Sequence, residues 1–369
     1  MNYLPFLTAN TGQLFRRFSR VVLIISILCF CAGCSQTPPE REVVEDYLWR
    51  LANVLDQEFE SPGIHLHSYP EKRDMGLSLS THSIDLLDFL SMTGCKLQIT
   101  AAQKNSGLGR VMMSSQTFLY QWQFLNDSRE CLDHLETEDP ALYAQLQQVV
   151  AVKREELDRY AWLAVWGGPE MRHYYGVTQQ WLSQDEAISL AEDDYRLLLT
   201  LIEFTQQIKR DRESTALDVG QYREPFELTL ARLGQSNMGG KVLATVSDLT
   251  TLLTQGTKML QRSKGRICPT GKITPNAKIL HTVFLKFYIG KVQPYMAFVH
   301  QQTAPWFDQQ HNLLNGFSLD VPDAFDEFQQ KLALTSSDSL WAGYQQAVKS
   351  HTLAWQQILG ECGLMPGGG

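Results

Sequence analysis

Apolar residues recur at intervals of three and four along most of this chain, the spacing of an α-helix with one buried face. A helix is predicted over residues 40–59, and its buried face is expected to consist of Val44, Tyr47, Leu48, Leu51, Val54 and Leu55. The alternation typical of strands is rare, and only Ile64–Leu66 and Lys96–Thr100 are candidates for short strands. The pattern therefore predicts an all-α fold, an irregular multi-helix bundle.

Capping residues mark where several predicted helices begin. Asp139-Pro140 and Thr274-Pro275 each place a polar side chain directly before a proline, which suits the first turn of a helix. Ser183 and Glu186 have the spacing of a capping box. These signals predict helix starts close to all three positions.

Proline and polar segments predict where helices end. Pro294 is expected to kink or end the helix that starts near residue 275, and Pro305 to mark a further turn. Residues 34–369 are predicted to form a single helical domain, and the polar segment 211–220 is the best place for a boundary inside it.

The first residues carry a different pattern. Three arginines precede the apolar run Val21–Phe30, which Ala32-Gly33-Cys34-Ser35 follows closely. This run is too short to cross a bilayer core about 30 Å thick, so residues 1–33 are predicted to be a signal peptide. The segment resembles a bacterial lipobox, which predicts lipid on Cys34, although Cys31 stands where leucine is usual. A signal peptide without lipid and an N-terminal membrane helix are the alternatives.

The residue after the predicted lipidation site bears on location. By resemblance to enterobacterial sorting, serine at position 35, rather than aspartate, directs a lipoprotein to the outer membrane. Acyl chains on Cys34 would make anchoring effectively permanent, because each buried methylene contributes about 0.8 kcal/mol. The membrane is therefore the first predicted partner, reached through the N-terminal lipid on the periplasmic face.

The charge balance restricts the other partners. The chain has 40 acidic and 32 basic residues, a formal net charge of −8. Removal of residues 1–33 takes away three arginines and no acidic residue, so the mature chain would carry −11. Such a chain is a poor candidate for nucleic acid or for docking on anionic lipid. We expect no nucleic-acid partner.

The seven cysteines predict disulfides. Removal of the signal peptide would leave five, and lipid on Cys34 would leave an even set of four for an oxidising compartment. We expect the pairs Cys95–Cys131 and Cys268–Cys362, each contributing roughly 4 kcal/mol on the chain-entropy model. A zinc site of all four is the alternative, but the chain has no C-x-x-C pair. No metal or other cofactor is predicted.

The glycine-rich segment Gly234–Lys241 is similar to two catalytic motifs. A nucleophile elbow requires its second glycine one residue earlier, and in a P-loop lysine would stand at the position of Gly240. A turn between two helices is therefore the favoured interpretation.

Histidines offer two weak metal motifs. His65 and His67, with Glu71 nearby, could supply half of a site. A di-iron bundle would need the single motif Glu170–His173 to be repeated, and Asp308–His311 is the nearest second copy. Solvated side chains are the favoured interpretation of both.

An aromatic cluster surrounds Gly167-Gly168-Pro169. Its members are Trp162, Trp166, Tyr174, Tyr175 and Trp181. Such rings suit recognition of sugar rings or a protein partner, although packing of the junction between two long helices is the favoured interpretation.

Carboxylates follow the aromatic cluster in the sequence. They are Glu186, Glu192, Asp193 and Asp194. A glycosidase would need two carboxylates at a defined separation across a cleft. Acidic residues at the start of a helix also complement its dipole, so a solvated helix face is the favoured interpretation.

Several stretches together resemble an uncharacterised family of Gram-negative lipoproteins, domain of unknown function 3080. They are the lipobox, Leu90 to Cys95, Asn105-Ser106-Gly107-Leu108-Gly109-Arg110-Val111, the helix ending at Cys131-Leu132, and Trp162 to Trp166. The similarity would cover nearly the whole mature chain. The resemblance implies an exported lipoprotein and carries no activity or catalytic residue.

The sequence thus predicts a periplasmic lipoprotein of the outer membrane that acts by binding, as a scaffold or accessory factor in the cell envelope. Its partner would be an envelope protein or a glycan. The alternative is a carboxylate-dependent hydrolase that acts on peptidoglycan or another envelope glycan. A cleft with two carboxylates about 5–10 Å apart would favour the enzyme, whereas packed tryptophans and surface acids would favour the binder.

Overall fold

The computed structural model describes residues 37–80, 94–184, 187–213, 219–334 and 336–365, without the side chains of residues 187–192, 209 and 211–213. The helices described below all belong to one compact unit, Pro39–Gly369. The predicted signal peptide and Cys34 lie outside the described residues.

The described residues form helices joined by turns and loops and contain no β-strand, so the predicted all-α fold is confirmed. The α-helices are α1 (Pro39–Val54), α2 (Lys96–Asn105), α3 (Ser114–Glu138), α4 (Pro140–Val165), α5 (Pro169–Tyr174), α6 (Ala187–Glu213), α7 (Gly220–Leu233), α8 (Met238–Arg262), α9 (Pro275–Val283), α10 (Gln293–Leu314), α11 (Asp323–Leu332) and α12 (Leu340–Glu361). A π-helical segment, Phe284–Val292, joins α9 to α10. A search of the described helices found none with the length and apolarity needed to cross a bilayer.

Helix α8 lies at the centre of the fold. Most of its residues are buried, Val242, Leu249 and Leu252 among them, and its less buried positions form one stripe that includes Thr251 and Lys258. Because the buried surface extends around most of the helix, several neighbours are needed to remove it from water. It packs most extensively along α12 and also contacts α1, α5 and α10.

Glycines allow neighbouring segments to approach α8 closely. A Cβ atom at Gly240 would lie 2.1 Å from the carbonyl oxygen of Gly176, in the loop after α5. A Cβ atom at Gly256 would lie 2.7 Å from Cε1 of His351 on α12. Residues 234–237 thus form a turn between α7 and α8, as predicted for this segment, and Gly240 in the first turn of α8 is needed there for packing.

Two of the predicted helix starts are confirmed by their capping hydrogen bonds. The backbone N–H of Leu142 donates to Oδ1 of Asp139 (3.0 Å), and that of Ala277 donates to Oγ1 of Thr274 (3.1 Å). In both cases proline occupies the first helical position, where its missing N–H costs no bond. Helix α6 begins at Ala187, and Glu186 of the predicted capping box lies outside the described residues.

Two disulfides join the cysteines that the sequence analysis paired. Cys95–Cys131 ties the residue before α2 to α3, and Cys268–Cys362 ties the loop after α8 to the residue that follows α12. The Cα atoms are 5.1 and 5.4 Å apart, the usual separation for a disulfide. Each bond therefore fixes a terminal segment of a helix against the core.

The strand predicted at Lys96–Thr100 is wrong, because this stretch opens α2. Its β-branched residues resemble a strand, but the buried residues Leu97 and Thr100 are three apart and lie on one side of a helix. The hydroxyl of Thr100 donates to Oδ2 of Asp127 on α3 (2.5 Å). Ile64–Leu66 has no strand partner among the described residues and is irregular.

The two prolines expected to interrupt the helices near residues 294 and 305 behave differently. Pro305 lies inside α10, so the turn predicted there is wrong. It is on the exposed side of the helix, where water can reach the backbone carbonyl that its missing N–H leaves free. Pro294 lies in the first turn of α10. The irregularity found near it is the π segment, which ends two residues before this proline.

We expect Gly240→Ala to lower the free energy of unfolding by about 1–3 kcal/mol, because the added methyl group would collide with backbone rather than a movable side chain. Gly343→Ala is the matched control inside α12, since its Cβ would meet no atom closer than 3.9 Å. The control should be unchanged or up to about 1 kcal/mol more stable. Urea unfolding measures both, and equal effects would contradict the close approach at Gly240.

Candidate functional site

A largely apolar cavity of about 260 Å³ lies among α6, α8, α10 and the loop before α6. We name it the Asp194 cavity. Its lining residues are Leu182, Asp194, Tyr195, Arg196, Met238, Val242, Gln302, Pro305, Trp306 and Gln309. Apolar walls with a few polar groups are typical of ligand sites.

Asp194 supplies a buried carboxylate to this cavity. The side chain, on α6, is 5% exposed, and Ser236 Oγ donates a hydrogen bond to its Oδ2 (2.8 Å). Ser236 is itself fixed by the backbone N–H of Met238, at the start of α8 (3.1 Å). Burial raises the pKa of Asp194 from 3.8 to about 6, against the opposing effect of the Ser236 hydrogen bond, and the charge of Asp193 raises it slightly further. The carboxyl group can therefore change its charge near neutral pH.

Gln309 on α10 brings a second hydrogen-bond acceptor to the cavity. Its Nε2 donates to the backbone carbonyl of Tyr195 (3.2 Å), which fixes the amide group. Its Oε1 is buried and has no hydrogen-bond partner among the described residues. An unpaired buried oxygen costs roughly 1–3 kcal/mol, so its presence calls for an explanation such as a bound donor.

Hydrogen bonds hold the apolar walls in place. The Nε1–H of Trp306 donates to the hydroxyl of Tyr174 (2.7 Å), which fixes the indole ring. The backbone of Leu182 is held at both ends: its N–H donates to Oγ1 of Thr245 (2.9 Å), and its carbonyl accepts from the hydroxyl of Tyr295 (2.9 Å). The cavity is thus preformed rather than assembled from loose side chains.

The five aromatic residues considered as a possible recognition surface are instead part of the core. They are Trp162, Trp166, Tyr174, Tyr175 and Trp181, and none is more than 2% exposed. The break at Gly167-Gly168 turns α5 into the interior, where the ring of Trp162 packs 5.0 Å from that of Phe325 on α11. The favoured interpretation, that these rings pack a junction between helices, is confirmed. The alternative required exposed rings for a sugar or a protein partner, and the five rings are buried.

Two of these aromatic side chains nevertheless hydrogen-bond to residues in or next to the cavity wall. Tyr174 holds Trp306, as described above. The Nε1–H of Trp181 donates to Oδ2 of Asp248 on α8 (3.1 Å), and the same oxygen forms an ion pair with Arg41 on α1, 2.8 Å from its Nε. The aromatic cluster therefore positions the loop that ends at Leu182.

The predicted carboxylates are separated by the structure. Asp194 is buried in the cavity, whereas its neighbour Asp193 is exposed. Glu186 and the side chain of Glu192 lie outside the described residues. Within the described part of the chain, Asp194 is the one carboxylate that lines the cavity. The solvated-face interpretation is thus wrong for Asp194, which is buried where α6 packs against α10 and Ser236 approaches from the turn before α8.

The candidate metal motifs do not converge. The rings of His65 and His67 lie 5.0 Å apart, and burial, the nearby His65 and Lys331 lower the pKa of His67 to about 4. Among the described residues, no three His, Cys, Asp or Glu side chains are placed to hold a metal ion. Asp308 hydrogen-bonds to Asn312 of the same helix, and His311 to Asn315, the residue that follows it.

A buried histidine that the sequence analysis did not single out lies elsewhere, against α8. His351 is 0% exposed and bonds to the hydroxyls of Tyr47 (2.7 Å) and Thr257 (3.2 Å). Burial lowers its pKa to about 3, so the ring stays neutral. Enclosed and bonded at both ring nitrogens, it joins α1, α8 and α12.

Comparison with known proteins supplies a family. The model of a family described as protein of unknown function (DUF3080) matches residues 44–366. The chain belongs to the DUF3080 family. No curated protein and no solved structure matches it. The match runs from α1 to beyond the end of α12, so both disulfides and the Asp194 cavity lie inside the DUF3080 region.

Replacement of Asp194 by asparagine should change how the stability of this DUF3080 chain depends on pH. The folded chain binds more protons than the unfolded chain between about pH 4 and pH 6, so wild-type stability falls as pH rises through this window. Asparagine keeps an oxygen for Ser236 and has no charge to bury. The stability of Asp194→Asn relative to wild type should therefore rise by at most about 3 kcal/mol from pH 4 to pH 7.

Urea unfolding at a series of pH values measures this difference. Asp193→Asn is the control, because Asp193 is the exposed neighbour on the same helix. It should keep most of the wild-type slope. A stability difference between Asp194→Asn and wild type that stays constant with pH would show that Asp194 is not a buried, titrating group.

Proposed function

We propose that this DUF3080 chain is a lipoprotein of the bacterial envelope, anchored through lipid on Cys34 at the periplasmic face of the outer membrane, which acts by binding a ligand in the Asp194 cavity. The binding proposal is supported by two hydrogen-bond acceptors on residues that line an apolar cavity. They are the Asp194 carboxylate and the unpaired Oε1 of Gln309. Acceptors of this kind require a donor.

The chemistry of the walls defines the class of ligand. A volume of about 260 Å³ is slightly below the ~300–1,000 Å³ of sites for drug-sized molecules, so the cavity suits one ring or a short chain. Trp306 and Val242 offer apolar contact, and the two acceptors favour an amine or another strong donor. The ligand would be a small amine with an apolar body, or such a group carried by an envelope protein or glycan.

The export part of the proposal is supported by the lipobox-like sequence and by the two disulfides, which form in oxidising compartments. Mass spectrometry of the chain isolated from Gram-negative cell membranes checks it. An N-terminal peptide that begins with acylated Cys34 is expected, and an unmodified Cys34 would refute the anchor.

A hydrolase that acts on peptidoglycan or another envelope glycan is the second candidate, and it has less support. That reaction calls for two carboxylates across a cleft. Asp194 alone lines the cavity within the described residues, and the aromatic cluster that would hold a sugar is buried. Non-enzymatic binding is therefore the better-supported function.

Phenethylamine is a suitable probe, because it combines one ring with one primary amine. Wild-type protein should bind it with a Kd of about 1 mM or tighter, measured by calorimetry and saturation-transfer NMR at neutral pH. Val242→Phe should abolish binding by filling the cavity. Asp194→Asn should weaken binding of phenethylamine about tenfold and leave the weaker binding of 2-phenylethanol unchanged, because only the amine carries a charge.

Val111→Phe is the control for the filled cavity, since it makes the same change at an exposed position. It should bind phenethylamine like wild type. Equal binding by wild type and Val242→Phe, or no binding by wild type at the solubility limit of the probe, would contradict the proposal.

A further inference from the structure

Basic residues are unevenly distributed along this acidic chain. Residues 249–307 contain eight of the 32 Lys and Arg residues and none of the 40 Asp and Glu residues. They are Lys258, Arg262, Lys264, Arg266, Lys272, Lys278, Lys286 and Lys291, and all eight are exposed. The net charge of −8 therefore conceals a cationic region on the protein surface.

Helix α9 and the π segment turn one side of this region outward. Their buried positions recur every three or four residues, at Ala277, Leu280, Phe284, Tyr288 and Val292. Positions between them carry lysines and large aliphatic residues. We name this surface the Lys286 face, formed by Lys278, Ile279, Leu285, Lys286, Ile289 and Lys291.

The aliphatic side chains of the Lys286 face are unusually open to solvent. Ile279 is 54% exposed, Leu285 is 44% exposed and Ile289 is 36% exposed. On the adjacent helix α1, Trp49 is 55% exposed. Exposed residues of this type beside cations are typical of surfaces that contact another phase or molecule.

Few negative charges compensate the lysines. None of the three lysines of the face forms an ion pair with a described carboxylate. On α1, Asp46 is held by Arg50 (3.0 Å), whose guanidinium lies 4.3 Å from the ring of Phe287 in the π segment. Glu361, the last residue of α12, is bonded to the loop after α8, where it accepts a hydrogen bond from the backbone N–H of Gly265 (2.8 Å).

We propose that the Lys286 face lies on an anionic phospholipid surface. Aliphatic residues interleaved with lysines on one side of a helix are the composition of helices that rest in the membrane interface. The lysines would meet lipid phosphates, and Leu285 and Ile289 would enter the headgroup layer. Charge complementarity selects this occupant, because an anionic bilayer offers many negative charges to a face that has no carboxylate of its own.

The proposed lipid anchor agrees with this placement, and only this step depends on it. Residues 34–38 can span at most about 18 Å, so lipid on Cys34 would keep Pro39 within that distance of the bilayer. Helix α1 begins at Pro39 and packs against α9 and the π segment. The Lys286 face therefore belongs to the elements adjoining the tethered helix.

Lysine footprinting on vesicles tests the proposal. The full-length chain is reconstituted into vesicles of phosphatidylcholine alone and into vesicles that also contain phosphatidylglycerol, then treated briefly with an acetylating reagent. Anionic vesicles should slow the acetylation of Lys278, Lys286 and Lys291 at least about fivefold relative to neutral ones, as mass spectrometry measures. The exposed lysines Lys72 and Lys96, on other elements, should react at the same rate in both.

A charge-reversal pair supplies the matched control. Lys286→Glu/Lys291→Glu should remove the protection of Lys278, whereas Lys72→Glu/Lys96→Glu makes the same change in charge elsewhere and should retain it. Circular dichroism and phenethylamine binding show that each variant is folded with its cavity intact.

Equal reactivity of the three lysines on neutral and anionic vesicles would overturn the proposal. Equal protection of Lys72 and Lys96 would do the same, since it would mean non-specific adsorption. The footprint measures no residue of the Asp194 cavity. A negative footprint would therefore refute the membrane contact and leave the proposed ligand binding untouched.

Discussion

Helix α8 buries residues around most of its circumference, and several neighbouring helices are arranged to cover them. Helix α12 lies along it, α1 covers a second side, and the segment after α5 closes on its first turn through Gly240. The buried carboxylate of α8 must also be given partners. Asp248 is 1% exposed, and it is held by Arg41 of α1 and Trp181. Loss of either partner would leave a buried carboxylate poorly paired, which is far more costly than loss of an exposed contact.

The Asp194 cavity follows from the same enclosure. The first turns of α8 supply Met238 and Val242 to its wall, and the turn before α8 places Ser236 against Asp194. Trp306 and Gln309 approach from α10, which also covers α8. Since these groups are fixed by helices of the core, the cavity is as rigid as the fold. This rigidity suits a binding site, because little ordering is needed when the ligand enters.

Local signals in the sequence were sufficient to predict much of the fold. Asp139-Pro140 and Thr274-Pro275 define helix starts through side chains that bond within one turn, so no tertiary information is needed. The even number of cysteines outside the predicted signal peptide indicated disulfides. Lys96–Thr100 failed because its β-branched residues favour strands locally, whereas the packing of α2 on α3 decides the outcome.

The cavity was beyond the reach of such signals. Asp194, Val242 and Gln309 are far apart in the sequence, and the burial of Asp194 depends on how α6 packs against α10 and on the turn before α8. Acidic residues at a helix start look alike whether they face water or a cavity. The aromatic cluster was similarly ambiguous, because tryptophan and tyrosine suit both cores and binding surfaces. Net charge is a total for the whole chain, and a value of −8 says nothing of the acid-free stretch 249–307.

A crystal structure of the protein grown with saturating phenethylamine is the sharpest test of the proposed ligand site in the Asp194 cavity. We expect density for the probe inside the cavity, with its ring against Trp306 and its nitrogen about 3 Å from Asp194 or from Oε1 of Gln309. An empty cavity in such a crystal, or the probe bound with its amine turned away from both acceptors, would refute the ligand site.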